Sequence, residues 1–194
     1  MRQAPAPSVK FTYEDFVNFP NDGKRHEVID GEHHVTPSPT TRHQLISMNL
    51  TRTFNRYLDR CPVGHVFAAP LDVVFSDLDV VAPDLIYISR ERDGILTEQH
   101  VRGAPDLVVE VLSPGTRKTD EVTKRKLYER FGVQEYWVVD PELDAVKVYR
   151  RVEGAFARVE ELSAEAGSTL TTRLLPGFAV ALAEVFASPI RQTP

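Results

Sequence analysis

The 194-residue chain has a single cysteine, Cys61, so no disulfide can form within it. That scarcity fits a reducing compartment, and the cytoplasm is the expected location. No apolar run approaches the roughly 18 residues that a membrane span requires. The opening "MRQAPAPSVK" has no apolar core of the kind a signal peptide carries, so no membrane partner is expected. An excess of basic residues is also missing. The formal net charge is −5, which argues against sequence-independent coating of nucleic acid but leaves room for a local basic groove. The Cys/His spacing of a structural zinc site is absent, and the neighbouring His33 and His34 face opposite ways on a strand. Ser113 has no nucleophile elbow around it, which excludes an ordinary serine hydrolase. Internal repeats and low-complexity segments are absent.

What is present is the composition of a globular domain: 42% hydrophobic and 26% charged residues. The length suits one domain, expected over residues 11–194 behind a flexible tail of residues 1–10 that carries Pro5 and Pro7. "TYEDFVNF" predicts a short helix, with Thr12 as N-cap and acids in the first turn. "RHEVIDGEHHVTP" predicts a hairpin, strands 25–29 and 33–36 turning at Asp30-Gly31. A helix of about five turns follows from Thr40 or Thr41, with Leu45, Met48, Phe54 and Leu58 on its buried stripe. "HVFAAP", "LDVVFS" and "DLIYIS" read as strands. "TDEVTKRKLYERFG" reads as a helix from an N-cap at Thr119 to a stop at Gly132. "EYWVVD" and "AVKVYR" are strands joined through Pro141. "AFARVEEL" and "STLTT" suggest a peripheral pair, and "ALAEVFA" a closing helix. This order implies an α/β domain with a central mixed sheet flanked by helices. The loop from Ser89 to Pro105, carrying Arg90, Arg92 and Arg102, is long enough to be expected to have a function.

The informative stretch is "PDLVVEVLSPG", residues 105–115. Its valines and leucines form a strand buried on both faces, yet Glu110 stands among them. An unpaired buried carboxylate costs several kcal/mol, comparable with the stability of a whole domain. Strand alternation puts Asp106, Val108, Glu110 and Leu112 on one face, with Glu110 near the C-terminal end, where ligand sites of open α/β sheets lie. Asp84 opens another apolar strand in "VVAPDLIYIS". If the two strands are neighbours, two acids approach each other, and a hard cation, Mg²⁺ or Mn²⁺, would join them. Lys124 lies one turn into the following helix on the face of Asp120 and Tyr128. Two acids, a lysine and a divalent cation make a phosphodiester-cleaving site. A lysine acting on the phosphate rather than the ion is expected to leave the fold intact when removed. The two acids, repelling across an empty site, are expected to respond alike to neutralisation. The plainer readings are a buried Glu110 paired with a core arginine, Asp84 as a strand-opening turn residue, Lys124 as a surface partner of Asp120, and Glu27 as a solvent-facing hairpin residue.

The block from Pro105 to Pro141, with the earlier "EVIDGE" and "APDLIYI", resembles the Uma-two family of the PD-(D/E)xK nuclease superfamily, over about Phe11 to Phe186. The resemblance implies a restriction-endonuclease-like fold and a Mg²⁺- or Mn²⁺-dependent endonuclease acting on DNA, in a fold that often pairs as a homodimer. It makes Asp84 the aspartate of the PD motif and Glu110 the acid of (D/E)xK. The Val111 backbone carbonyl becomes a further metal ligand. Leu112 stands at the usual lysine position, so the resemblance places the lysine at Lys124. Glu27 and His43 fall at positions typical of the family and are secondary site residues. The missing in-strand lysine and the acidic net charge keep an alternative open: a nuclease-fold module that binds or regulates without catalysis.

Overall fold

The computed structural model of the protein describes residues 9–189; of the expected tail, residues 1–8 lie outside the described residues. The first part of the chain runs α1 (Tyr13–Phe16), β1 (Arg25–Ile29), β2 (Glu32–Thr36), α2 (Thr41–Leu58), β3 (Gly64–Ala68), β4 (Val73–Ser76), β5 (Asp79–Val81) and β6 (Leu85–Ser89). Then come a 3₁₀ turn at Arg90–Ile95, β7 (Val101–Arg102), β8 (Leu107–Val111), and a helix whose first part, Thr119–Lys124, is wound as a π-helix before continuing as α3 (Arg125–Phe131). The chain ends with β9 (Glu135–Asp140), β10 (Ala145–Val152), β11 (Ala155–Ser163), β12 (Thr169–Thr171), β13 (Ala179–Ala181) and α4 (Leu182–Val185).

Local chemistry explains most of these elements. Thr12 caps α1 in a reciprocal box with Asp15, satisfying N–H groups that have no partner within the helix. Asp30 and Gly31 take positive φ values of 50° and 74°, the pair of left-handed residues that a two-residue hairpin turn demands. Gly31 also lies against Lys10, whose Cβ would be 2.6 Å from an added side chain. Gly132, at φ 86°, ends α3.

Six strands form the central sheet in the order β11-β10-β9-β8-β6-β3, and five form a second in the order β2-β1-β5-β4-β7. β8 and β9 are parallel, whereas β6 runs antiparallel to β8 with Leu85 opposite Val109. The two acidic strands are therefore neighbours, the condition on which their carboxylates approach each other. The helix of Thr119–Phe131 is the crossover that a parallel pair requires. Leu107, Val109 and Val111 pack with Ile46, Leu50 and Phe54 of α2 on one face of the central sheet. Val108 and Leu112 pack on the other face with Leu127 and Tyr128, and with Ile29, Val73 and Val81 of the second sheet. Glu110 shares that second face, between α3 and β1.

Several sequence expectations need correction. Met48 is 57% exposed; the buried stripe of α2 is Ile46, Leu50 and Phe54. At about 100° per residue Met48 lies roughly 200° round from Ile46 and so outside the stripe, whereas Phe54 is buried as expected. Leu45 and Leu58 sit at the margins, half-buried. Thr119 is not an N-cap, because the helical path already includes residues 117 and 118. The Ser113 and Thr116 hydroxyls, 2.9 Å apart, bond to each other just before it. β11 does not pair with β12: it extends the central sheet beside β10, while β12 pairs with β13. The 89–105 loop is tied down structurally, with Arg92 paired to Asp106 at 3.2 Å.

Candidate functional site

The strand ends, the π-wound turn and the hairpin converge on one cavity of about 260 Å³, lined by Arg25, His43, Asp84, Glu110, Val111, Asp120 and Lys124 among others. None of Arg90, Arg92 or Arg102 lines it. β8 presents Glu110 from the sheet, and the antiparallel neighbour β6 begins just after Asp84. β1 contributes Arg25 and Glu27. The π-wound turn brings Asp120 and Lys124 inward; such turns recur where a helix must aim side chains at a site.

Lys124 is the hub. Its Nζ donates to Glu27 Oε1 at 2.8 Å and Glu110 Oε1 at 3.1 Å, and lies 3.6 Å from Asp120 Oδ1. It is 3% exposed, so it is no surface partner of Asp120. Glu27 is 1% exposed and also accepts from the Ala82 N–H at 2.9 Å, which removes the solvent-facing reading. Tyr128 donates its hydroxyl to Glu110 Oε1 at 2.6 Å. The arginine that the plainer reading gave to Glu110 is found instead on Asp84, and is half-buried. Arg25 Nη1 donates to Asp84 Oδ1 at 3.0 Å, while His43 Nε2 at 3.0 Å and the Val111 N–H at 2.8 Å reach Oδ2. A carboxylate only accepts, so His43 carries its proton on Nε2. His43 Nδ1 is buried and has no hydrogen-bond partner among the described residues.

These partners separate the two acids. Burial would raise the Asp84 carboxyl, but His43, Arg25 and the Val111 N–H outweigh it and hold the group below the ordinary range. Burial pushes Glu110 up to about 8; Lys124 offsets only part, and Asp120, Asp84 and Glu27 add to the rise. Burial likewise raises Asp120, against Lys124 and a Thr116 hydrogen bond. For Lys124, burial opposes the charge, but Glu110, Glu27 and Asp120 overcome it and keep the ammonium.

Four carboxylates, Glu27, Asp84, Glu110 and Asp120, thus face two fixed cations, Arg25 and Lys124. Fully ionised, the cluster carries two surplus negative charges, the complement of one divalent cation. Among the described residues no group of three or more His, Cys, Asp or Glu side chains is placed to hold a metal ion. Mg²⁺ does not need such a group: it takes one or two carboxylates and completes its shell with water and substrate oxygens. Asp84 and Glu110, hard oxygen donors lining the cavity, fit that requirement.

Asp120, Tyr128 and Arg25 are the residues whose importance the sequence did not reveal. Asp120, Lys124 and Tyr128 recur every four residues, a helical row that marks one face. Arg25 has no local signal: it arrives by the antiparallel pairing of Val28 with Val80.

The fold, with its central mixed sheet, is restriction-endonuclease-like. A crystal structure described as "a putative nuclease belonging to DUF820", from Anabaena variabilis, superposes with a TM-score of 0.77, covering 91% of this chain and 97% of that one at 21% identity. The Uma2 family model, "Putative restriction endonuclease", matches residues 13–183. The chain belongs to that family. It is also 27% identical over 151 residues to "Uncharacterized protein slr1290" of Synechocystis sp., spanning 75% of this chain and 77% of that protein.

Proposed function

We propose that the protein is a Mg²⁺- or Mn²⁺-dependent endonuclease that hydrolyses phosphodiester bonds of DNA. The observation that carries this reading is the convergence of Asp84, Glu110 and Lys124 on one cavity with a surplus of negative charge. Asp84, Glu110 and the Val111 carbonyl would hold the ion. When bound, the ion supplies an activated water and neutralises charge developing on the phosphate. The chain's own residues do the rest. Arg25 and His43 keep Asp84 ionised and fix both its oxygens. Tyr128 fixes Glu110. Glu27 anchors Lys124, whose ammonium stabilises the extra negative charge of the pentavalent phosphate. The enzyme would work in the cytoplasm as a homodimer. The central sheet ends on β3 and β11, and sheet edges pair readily with another chain. A clean monomer by light scattering at micromolar concentration would remove the dimer from the proposal.

One observation favours a second reading, a nuclease-fold module that binds without cutting: Leu112 occupies the usual lysine position, and Lys124 is enclosed by carboxylates. One experiment separates the two. Supercoiled plasmid and single-stranded DNA are incubated with Mg²⁺ or Mn²⁺, with chelator, and with Asp84→Ala. Metal-dependent cleavage lost in Asp84→Ala supports the nuclease. Intact DNA in every wild-type reaction supports the binding module.

A further inference from the structure

A second cavity, of about 410 Å³, shares a wall with the first: Arg25, Pro37, Ser38 and Pro39 line both. Its far side is aromatic. Phe16 and Phe19 line it, half-buried, with ring centroids 5.8 Å apart at an interplanar angle of 67°. Lys24, Arg25 and His26 line it with one carboxylate, Asp72, and His26 Nε2 lies 2.9 Å from Asp22 Oδ1. Lys24 is 57% exposed, 3.4 Å from Asp22. Arg25 stands at the junction. Its Nη1 is committed to Ala82 O and Asp84 Oδ1, both at 3.0 Å. Its Nε and Nη2 have no hydrogen-bond partner among the described residues, and the side chain is 22% exposed. A buried-edge arginine with free N–H groups beside an acidic metal-type site is suited to a phosphate oxygen.

Resting on the nuclease reading above, we infer that this second cavity holds an unpaired nucleotide next to the scissile phosphate, its phosphate on the free N–H groups of Arg25 and its base against Phe16. Base pairs in a duplex stay stacked on one another, so an aromatic wall is reached only by a base out of the stack. An arginine with N–H groups left for the backbone and an aromatic wall for the base are the two parts of a single-strand track. The substrate class that follows is DNA with unpaired nucleotides at the cut: single strands, gaps or flaps rather than continuous duplex.

The test measures binding in chelator, where no cutting occurs, by anisotropy of a labelled 12-nucleotide single strand and of the same sequence as a duplex. The single strand is expected to bind at least tenfold more tightly. Phe16→Leu, which keeps an apolar side chain without a ring, should weaken single-strand binding by roughly 5- to 150-fold, the loss expected for one base–aromatic stack. Phe16→Trp should restore it, a rescue that a packing role would not show. Lys24→Glu, at an exposed position, should weaken binding and flatten its salt dependence. Unfolding midpoints of all three are measured alongside. Equal affinity for strand and duplex, or a Phe16→Leu protein that binds the single strand like wild type, overturns the inference. Metal-dependent plasmid cleavage is scored separately. A wild type that cuts duplex while showing no single-strand preference refutes the groove and leaves the nuclease standing. A protein that cuts nothing but binds single strands through Phe16 refutes the nuclease and supports the groove.

Discussion

In the sequence Asp84 opens an apolar strand and Glu110 stands within one, and on that ground the two are expected to respond alike to neutralisation. Their partners make them opposites. Those partners lie 59 and 41 residues from Asp84, and 14 and 18 from Glu110, so local pattern could not tell the two apart. Asp84→Asn leaves Arg25 and His43 facing a neutral amide, and stability should fall by roughly 3–5 kcal/mol, the usual result of breaking a buried pair. Asp84 is depressed in the folded protein, so its contribution exists above the ordinary carboxylate range and fades as pH falls through its lowered value. Glu110 has the opposite sign. Its folded value is raised from 4.5 to about 8, so the wild type loses stability as pH climbs from 4.5 through 8. Glu110→Gln removes that loss, keeps an acceptor for the Tyr128 hydroxyl, and leaves Lys124 on Glu27. In chelator it should match wild type near pH 4.5 and exceed it above pH 8 by roughly 1–2 kcal/mol. Urea unfolding of both variants at several pH values decides the matter; a Glu110→Gln protein weaker than wild type at pH 8.5 would overturn this account of the strand.

Among the elements, those with a chemical signature were legible. Thr12 with Asp15, Asp30 with Gly31, and Gly132 each require a particular backbone, and each element formed where those residues said it would. β5 and β7, of three and two residues, carry too little pattern to read. On α2 the expected stripe holds at Phe54 and fails at Met48, which is apolar but faces water. Leu50→Ala should therefore cost roughly 2–5 kcal/mol, while Met48→Lys should change stability by less than about 0.5 kcal/mol; the reverse order in thermal melts would restore the sequence-based stripe. The π-wound turn changes what Lys124→Ala should do. On sequence grounds the lysine acted only on substrate, and its loss left the fold intact. Enclosed by Glu27, Glu110 and Asp120, it is also their counter-ion, so Lys124→Ala should lose roughly 3–5 kcal/mol as well as cleavage. Lys126→Ala, on the exposed side, should lose neither.

At the scale of the whole molecule, the order of elements implies a mixed sheet with flanking helices, but leaves open whether the two acidic strands lie side by side, as they do. The second sheet was not foreseen, because β1 reaches β5 through the pairing of Val28 with Val80, a contact no window of sequence contains. That sheet is what delivers Arg25 to Asp84 and Glu27 to Lys124; their own charges cancel, so what they supply is a partner for each. The metal-free protein manages the surplus by keeping a proton on Glu110 up to about pH 8. A divalent cation must displace that proton to use the carboxylate, because metal ligands bind deprotonated. Mg²⁺ or Mn²⁺ affinity should therefore rise with pH from about 6 to about 8 and level off above. Calorimetry in two buffers of different ionisation enthalpy should show protons released on binding, more at pH 6.5 than at pH 8.5. Bound metal should also restore the stability that ionising Glu110 removes, so the cation should raise the unfolding temperature more at pH 8.5 than at pH 6.5. In Glu110→Gln the proton release and the stabilisation should both disappear. An affinity that stays flat from pH 6 to 8, or protons taken up on binding, would mean that the cation does not sit on Glu110.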